Sequence, residues 1–345
     1  MTQAMRTPID RDAIPELPTV PRLPGVVVRP FRDATDFERI ATVIRESNRA
    51  DEIPWLPTVD NLRTELENRD SIDPTRDMIL AELGDQPIGM TGVERVVRDG
   101  SPVYEMWSSL LPAFRRQGLG TALLAWCFAR IRQRAAVEDP GLPIVVQTDA
   151  EEQETGHRAL LAGAGFRPVR HFFLMRRPTL DDVPDVPLPD GLDVRAVTEE
   201  QRRPILEAEF EAFQDHWGSR ERSEEHFTMT LSRAELDTDL WVVAWDGDQI
   251  AGAVENWIWP DENAELGVKR GWLERISVRR PWRRRGLARA LTARSLVRLR
   301  DAGMEDAMLG VDSENANGAL GLYEGLGFEI HSRSAAYRRT LDDAG

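Results

Sequence analysis

The pattern of apolar and polar residues changes its period within residues 273–302, from two at the start to between three and four further on. In the first part, Ile276 and Val278 fall on one face of a predicted strand. Glu274 and Ser277 are expected on opposite faces, because side chains alternate along a strand with a period of two. The sequence therefore predicts a strand that carries one carboxylate close to its C-terminal end.

A helix follows this strand after a basic turn. Apolar residues recur at helical spacing from Leu287 to Leu299, and Gly303 is placed to end the helix. The turn, Arg283 to Ala288, brings arginines and a glycine to the start of the helix. Because the first amides of a helix lack intrahelical acceptors and carry a partial positive charge, we expect an anion site here, with phosphate or pyrophosphate as its ligand.

The N-terminal half repeats the landmarks of the C-terminal half in the same order. The paired landmarks are Gly25 to Arg29 with Gly191 to Arg195, Gly89 with Gly252, Gly118 with Gly286, and Gly165-Phe166 with Gly327-Phe328. Four landmarks at nearly constant separation predict a duplicated domain. The predicted division is a proline-rich arm over 1–24, an N-terminal domain over 25–176, a linker rich in proline and aspartate over 177–190, and a C-terminal domain over 191–345.

Each half is expected to have the same plan of mixed strands and helices. A hairpin is predicted from Trp241–Ala244 and Gly252–Trp257, and a further strand from Ala307–Val311. The predicted fold class is α/β, or α+β with a mixed sheet, in two tandem domains that each have a twisted sheet with helices on both faces.

Composition narrows the classes of protein. Apolar residues make up 41% of the chain, which is ample for packed cores, and the formal charge of −15 argues against binding to nucleic acid or to an anionic membrane. The single cysteine, Cys127, excludes an internal disulfide framework. With no leader pattern and no apolar run long enough to span a bilayer, we expect a cytoplasmic protein. The sequence carries no signal of oligomeric state.

Two motifs together resemble the GCN5-related N-acetyltransferases. The turn from Arg283 to Ala288 fits the pattern Arg/Gln-x-x-Gly-x-Gly/Ala of that family. Downstream, Asn315 and Asn317 precede a short helix that carries Tyr323 and closes on Leu-Gly-Phe, as in the family's second motif. The two-domain layout resembles that of tandem members of the family.

The resemblance implies acetyl-CoA as the cosubstrate. Gly286 would let backbone amides approach the pyrophosphate, and small Ala288 would keep the helix start open. Asn315 or Asn317 would bond the pantetheine arm, although both could instead be helix caps. The implied coenzyme A-binding residues are Ile276, Ser277, Val278, Arg283, Arg284, Arg285, Gly286, Leu287, Ala288, Arg289, Asn315 and Asn317.

The chemistry of acetyl transfer requires a base, because an amine is protonated at neutral pH. Glu274 is the candidate, Glu255 on the neighbouring strand is the reserve, and a surface or salt-bridged role is the alternative for Glu274. The amide near Val278 would hold the thioester oxygen. Tyr323 would protonate the leaving sulfur, unless it is a core aromatic residue with a bonded hydroxyl.

Other kinds of site have little support. No two histidines have the spacing of a helical metal pair, so no metal site is predicted. Cys127 lies on the apolar side of its helix and is expected to be a core residue. Six of the seven tryptophans of the C-terminal half lie close together in the sequence, mostly as packing residues, and one of these six is a candidate for lining the acceptor pocket: Trp241, Trp245, Trp257, Trp259, Trp272 and Trp282.

The sequence predicts an N-acetyltransferase that moves an acetyl group from acetyl-CoA to a primary amine of a small molecule. The alternative is a non-catalytic acyl-CoA-binding sensor or scaffold. The halves are expected to be unequal, because the repeat places Met106 at the position of Glu274 and Leu161 at the position of Tyr323. The asparagines fall on Gln153 and Thr155. The N-terminal half is thus degenerate, and it either binds coenzyme A weakly or only completes the acceptor cleft.

Overall fold

The computed structural model describes residues 13–67, 69–219, 224–315 and 318–341, apart from the side chain of His226. The chain forms two compact units. The first unit holds the chain up to Val169 together with the chain from Ala336 onward, and the second unit holds Arg170 to Ala335. The predicted domain boundaries follow the repeat in the sequence and stay a prediction.

The first unit is built around a sheet whose first four strands, β1 to β4, pair with their sequence neighbours in antiparallel orientation. Strand β4 pairs with β5 in parallel. The C-terminal end of strand β12, Glu329–Leu341, lies beside β5 from Ala336 onward. The elements of this part of the chain are β1 Val26–Pro30, α1 Asp36–Ala50, α2 Val59–Glu67, α3 Pro74–Asp77, β2 Met78–Leu83, β3 Gln86–Arg98, β4 Ser101–Leu110, α4 Leu119–Glu138, β5 Ile144–Glu151 and α5 Thr155–Gly163.

The second unit has the same plan. Its strand order is β6-β11-β10-β9-β8-β7. Strands β10 and β11 are parallel, and the pairs β6–β11, β9–β10, β8–β9 and β7–β8 are antiparallel. The elements are β6 Arg167–Arg177, β7 Asp193–Arg195, α6 Glu199–Phe213, α7 Glu224–Leu231, β8 Val242–Asp246, β9 Gln249–Ile258, α8 Pro260–Leu266, β10 Arg270–Val278, α9 Leu287–Asp301, β11 Asp306–Asp312, α10 Ala319–Glu324 and β12 Glu329–Leu341.

Helices cover both faces of the second unit's sheet. On one face, Leu291 and Leu296 of α9 pack with Val254 and Leu273 of the sheet. On the other face, α6 and α7 pack on alternate residues of β8 and β9, as shown by the core formed by Ile205, Leu206, Phe227, Val243, Ala253 and Trp257. Alternate residues of these strands therefore point to opposite faces of the sheet, and both faces are covered by helices. The predicted mixed sheet with helices on both sides is confirmed.

The local predictions for this unit are also confirmed. The hairpin is formed by β8 and β9, the basic turn leads into α9, and Gly303 follows that helix in a left-handed conformation, with a φ of 88°. Helix α6 begins at Thr198, whose backbone amide donates to Oε1 of Gln201, as in a capping box.

Where they are described, the predicted arm has no helix or strand, and the predicted linker has none after Arg177, the last residue of β6. Residues 1–12 of the arm lie outside the described residues, but Val20 and Leu23 are buried. In the linker, Leu180 is 1% exposed, and Val183 and Leu188 pack against the core of the second unit. Within the described residues, no helix has both the length and the apolar character needed to cross a membrane.

Candidate active site

Strand β10 contains one extra residue relative to its neighbour β9. Glu274 lies opposite Glu255, but Ser277 lies opposite Ala253, so three steps along β10 match two steps along β9. Such a bulge shifts the alternation by one residue. Because directly opposed residues share a face, Glu274 and Ser277 lie on the same face of the sheet. The expectation that they take opposite faces was wrong, since it assumed an unbroken period of two.

Arg275 provides the backbone conformation of this bulge. Its φ is 49°, in the left-handed region that residues other than glycine adopt only in special contexts. Gly252 faces the end of the bulged segment, and a Cβ at this position would lie 2.6 Å from the carbonyl oxygen of Ser277. The close approach of β9 and β10 beyond the bulge therefore requires a glycine on β9.

Three glutamates come together beside the bulge. Glu274 and Glu255 oppose each other across the strands, on the face covered by α6, and Glu209 of α6 interacts electrostatically with Glu255. Glu255 is 2% exposed and Glu209 is 1% exposed, whereas Glu274 keeps partial access to solvent. Glu274 is thus the member of the group that a ligand can reach.

Burial changes the acidity of all three carboxyl groups. Desolvation raises the pKa of Glu255 well above its usual value, and the charge of Glu209 raises it further. Desolvation also raises the pKa of Glu274 and that of Glu209, while the positive charge of Arg275 opposes the change in each case. A carboxylate with a raised pKa is a stronger proton acceptor, which suits Glu274 to act as a base.

Sequence analysis missed Glu209 and Arg275. Arg275 Nε lies 2.8 Å from Oε1 of Glu209, an ion pair that lacks hydrogen-bond geometry. Glu209 lies on the buried side of α6 with Ile205, Leu206 and Ala212. A carboxylate among apolar positions of an amphipathic helix was the available signal for Glu209. No local pattern could reveal the bulge at Arg275.

The anion turn has the expected backbone geometry. Gly286, the N-cap of α9, has a φ of 84°, Arg284 has a φ of 62°, and a Cβ at Gly286 would meet open space. The amides of Leu287, Ala288 and Arg289 are the first of the helix and have no intrahelical acceptor. They form a concave group of donors that fits the pyrophosphate of an acyl-CoA.

The arginines of the turn have different tasks. Arg283 braces the turn, since it donates to the carbonyl oxygens of Val278 and Ala212 and to Asp215. Arg285 donates to the carbonyl oxygen of Asp190. Arg284 is exposed, so its guanidinium is the one in this turn that is best placed to contact phosphate.

Several predicted cofactor residues are partly or wholly internal. Leu287 is 1% exposed, and Ile276 and Val278 pack against the core of the second unit. The hydroxyl of Ser277 is buried and donates to the carbonyl oxygen of Ala253. These residues can therefore reach a ligand through their backbone. Arg289 is exposed and donates to the carbonyl oxygen of Gly325.

The second motif closes around Tyr323. The ring is 7% exposed, lies in the core beside α9, and is 6.0 Å from the ring of Phe328. Burial raises the pKa of its hydroxyl. Among the described residues the hydroxyl has no hydrogen-bond partner. Asn315 lies in a turn, where its amide donates to the carbonyl oxygen of Asp312, and Asn317 lies outside the described residues.

Tryptophans extend the same sheet face away from the glutamates. Trp272 lies opposite Trp257, and both share the face of Glu274. Trp259 stacks on Trp257 with ring centroids 5.4 Å apart, and Arg233 lies over Trp259. The charge of Arg233 also acts on Glu274, which places this aromatic group close to the carboxylate. Trp272 and Trp259 are half-buried, and Trp241, Trp245 and Trp282 are core residues.

The other residues considered as possible sites, a cysteine and the potential metal ligands, do not form part of this region. Cys127 is fully buried in the first unit and lies 3.0 Å from the hydroxyl of Thr91, and burial raises the pKa of its thiol to about 12. It is a core residue. In the part of the chain that the structure describes, no three or more His, Cys, Asp or Glu side chains are arranged so that they could hold a metal ion.

The first-unit counterpart of Glu274 also needs correction. In that unit β3 and β4 pair without a register shift in this region, with Trp107 opposite Gly92. Since Gly92 occupies the position of Glu255 in the repeat, Trp107 occupies the position of Glu274. The assignment to Met106 was wrong, because the extra residue in β10 moves the correspondence by one.

Comparisons with known proteins identify the family of this chain. The family model of the acetyltransferase (GNAT) family matches residues 40–149 and 203–328, which is more than half of the chain. The chain belongs to the GNAT family. It is therefore an acyltransferase, of a family that uses acyl-CoA as cosubstrate.

Individual relatives match most of this chain. A mycothiol acetyltransferase from Catenulispora acidiphila is 26% identical over 91% of this chain and 98% of its own length. Another mycothiol acetyltransferase, from Salinispora arenicola, is 30% identical over 74% of this chain and 75% of its own.

Solved structures show the same fold. A GCN5-related N-acetyltransferase from Sphaerobacter thermophilus has a TM-score of 0.70 and 25% identity, over 92% of this chain and 96% of that one. A tandem GNAT protein from the clavulanic acid biosynthesis pathway has a TM-score of 0.65 at 18% identity, over 93% of this chain and all of that one. The tandem resemblance inferred from the sequence is confirmed.

Proposed function

We propose that this acyltransferase moves an acetyl group from acetyl-CoA to a primary amine of a small molecule, by direct attack within a ternary complex in the second unit. The observation that carries the proposal is the position of Glu274. It is a partly exposed carboxylate with a raised pKa, on the strand that runs through the bulge into the anion turn. A proton acceptor and a phosphate site are thus fixed to one rigid element.

The anion turn supplies the binding of the cosubstrate. The amides at the start of α9 and the guanidinium of Arg284 are the donors for the pyrophosphate. Arg283 keeps the turn in place through Val278 and Asp215, so it acts on binding through the backbone. The carbon chain of the cosubstrate would then run along β10 towards the bulge.

Glu274 and Tyr323 divide the proton transfers. Glu274 accepts a proton from the ammonium of the acceptor, and the freed nitrogen forms a bond to the acetyl carbon. As the carbon–sulfur bond breaks, the sulfur takes a proton from the hydroxyl of Tyr323, and the nitrogen gives up its second proton to solvent, which returns a proton to the Tyr323 oxygen. The backbone amide near Val278 is the proposed donor to the thioester oxygen while negative charge develops there. Glu255 is not chosen as the base, because its side chain is 2% exposed.

The acceptor is expected on the side of the half-buried tryptophans. Trp272 precedes Glu274 by two residues on the same face, and Trp259 lies nearby with Arg233. These groups offer flat apolar surface next to a carboxylate, which suits an amine attached to a ring. The two mycothiol acetyltransferases support an acceptor of small-molecule size.

The proposal is tested by mixing the purified chain with acetyl-CoA and a library of primary amines while free thiol is measured. We expect thiol release with a subset of the amines, and the acetylated product should be seen by mass spectrometry. Isothermal titration with coenzyme A serves as the control for a folded binding site. Coenzyme A binding without thiol release for any amine would contradict the proposal and would favour a non-catalytic sensor or scaffold.

A further inference from the structure

Arg275 is held at the bulge from two directions. Its Nε is 2.8 Å from Oε1 of Glu209, and its guanidinium lies 5.1 Å from the centre of the Phe213 ring. Both partners belong to α6, so the side chain ties the bulged strand to the helix that covers the site. The side chain is 38% exposed. It therefore combines a fixed position with contact to solvent.

Its backbone conformation makes the choice of arginine informative. A φ of 49° favours glycine, yet an arginine occupies the position. Residues held in this region against their preference are concentrated at functional sites, where the surroundings enforce the conformation. The strained position thus gives a reason to look for a task of the guanidinium.

The charges around Glu274 define that task. Glu255 of β9 lies opposite Glu274, and Arg275 of the bulge and Arg233 beyond α7 act on it electrostatically. Glu209 of α6 pairs with Arg275 and acts on Glu255, and His216 lies next to Phe213 at the end of α6. Arg275 acts on Glu209, Glu255 and Glu274, and Arg233 adds its positive charge at Glu274. One guanidinium therefore offsets three carboxyl groups that lie largely out of water.

We propose that Arg275 is a positioning residue for acetyl transfer: its guanidinium, held between Glu209 and Phe213 at the bulge, is the positive charge that keeps Glu274 available as the proton acceptor. This rests on the proposed function, since it assigns the base to Glu274. The same cation also fixes Glu209, a residue that no family motif marks. Removal of the cation leaves three carboxyl groups without their common counter-charge, so Glu274 should hold its proton to higher pH.

The main variant is Arg275→Gly, because glycine accepts the left-handed conformation and so preserves the bulge while the charge is lost. The acid limb is the part of the pH profile in which kcat/KM rises with pH as the base loses its proton. We expect this limb to move to higher pH by about one unit or more, and at a pH below the limb each unit of movement lowers the rate about tenfold. Activity should recover at high pH. Arg275→Lys retains a positive charge and should keep the limb close to that of the wild type.

The matched control is Arg203→Gln. Arg203 also forms an ion pair with a carboxylate, Glu224, and lies over a ring, Phe227, but it is not among the groups that influence Glu274. We expect no movement of the acid limb in this variant. Titration of carbon-13-labelled glutamate carboxyls by NMR, with Glu274→Gln to assign the signal, follows the same group without reference to turnover.

The outcomes separate the two proposals. A wild-type profile without an acid limb, or a limb that survives in Glu274→Gln, overturns the assignment of the base itself. A limb that depends on Glu274 but does not move in Arg275→Gly overturns the role of Arg275 alone. A uniform loss of rate at every pH in Arg275→Gly also overturns it, because that is the result expected of a purely structural contact.

Discussion

The two units have very different residues at corresponding positions of their sheets. In the second unit, Glu274 and Glu255 oppose each other beside a bulge, whereas in the first unit Trp107 and Gly92 oppose each other in a regular ladder. A Cβ at Gly92 would lie 2.6 Å from the ring of Trp107. The ring of Trp107 thus fills the space next to Gly92, and neither of these two positions carries a proton-accepting side chain.

The helix that covers this point differs in the same way. Arg115 donates to the carbonyl oxygen of Ser47 in α1 and to the carboxylate of Asp51, which follows that helix. Arg283 donates in the same way to the carbonyl oxygen of Ala212 in α6 and to the carboxylate of Asp215. This correspondence places Ile44, which is 4% exposed, at the position of Glu209. The first unit therefore replaces a polar site with an apolar, packed core.

The anion turn, in contrast, has a counterpart with the same backbone conformation in the first unit. Gly118 has a φ of 92° and Arg116 a φ of 63°, close to the values of Gly286 and Arg284. Arg115 donates to the carbonyl oxygen of Leu110 as Arg283 does to that of Val278. The comparison teaches that the anion turn and the bulged strand with its carboxylates occur independently of each other, because the turn depends on local backbone geometry and the bulge depends on strand pairing.

The largest expected effect comes from blocking one turn at a time. Gly286→Trp puts a bulky side chain into the open space before the amides of α9 and strains a residue at positive φ, so acetyl transfer should fall below detection. Gly118→Trp makes the matched change in the first unit and should leave most of the activity. Thiol release is the measurement, with circular dichroism to confirm that both variants are folded. Loss of turnover in Gly118→Trp alone would reverse the comparison.

A smaller loss is expected when the proposed acid is removed. The Phe328 amide donates to the carbonyl oxygen of Tyr323 as the Phe166 amide donates to that of Leu161, so the first unit has leucine at this position. Tyr323→Phe should lower kcat by roughly 100-fold through loss of the proton donor. Tyr104→Phe, which removes a buried hydroxyl from the first unit, should leave kcat unchanged. An unaltered kcat in Tyr323→Phe would make that residue purely structural.

The smallest effect on activity is expected from the packed counterpart of the site. Gly92→Ala drives a methyl group into the ring of Trp107 and should lower the free energy of unfolding by about 1–3 kcal/mol. Chemical denaturation measures this loss, and kcat should stay near that of the wild type. Combination with Trp107→Leu should restore part of the stability. If Gly92→Ala alone reduced turnover while stability was unchanged, the first unit would have a share in the chemistry.

Much of this account could be predicted from the sequence, and the failures have a common cause. The turn from Arg283 to Ala288 and the helix after it follow from residues adjacent in the chain, so local rules predicted them. The bulge at Arg275 needs knowledge of the pairing between β9 and β10, which alternation along one strand cannot supply. Glu209 is 65 residues from Glu274 in sequence, and only the packing of α6 onto the sheet brings them together.

The central claim is that one carboxylate of the second unit, Glu274, accepts the proton. The most direct test is the pH dependence of kcat/KM for the wild type, for Glu274→Gln and for the first-unit control Glu105→Gln. Since the base must be deprotonated, the rate should rise with pH through the raised pKa of Glu274 in the wild type and in the control. In Glu274→Gln the limb should vanish and kcat should fall by roughly 10²- to 10⁴-fold, with acetyl-CoA affinity nearly unchanged. A Glu274→Gln variant with the wild-type rate and the same limb would contradict the claim.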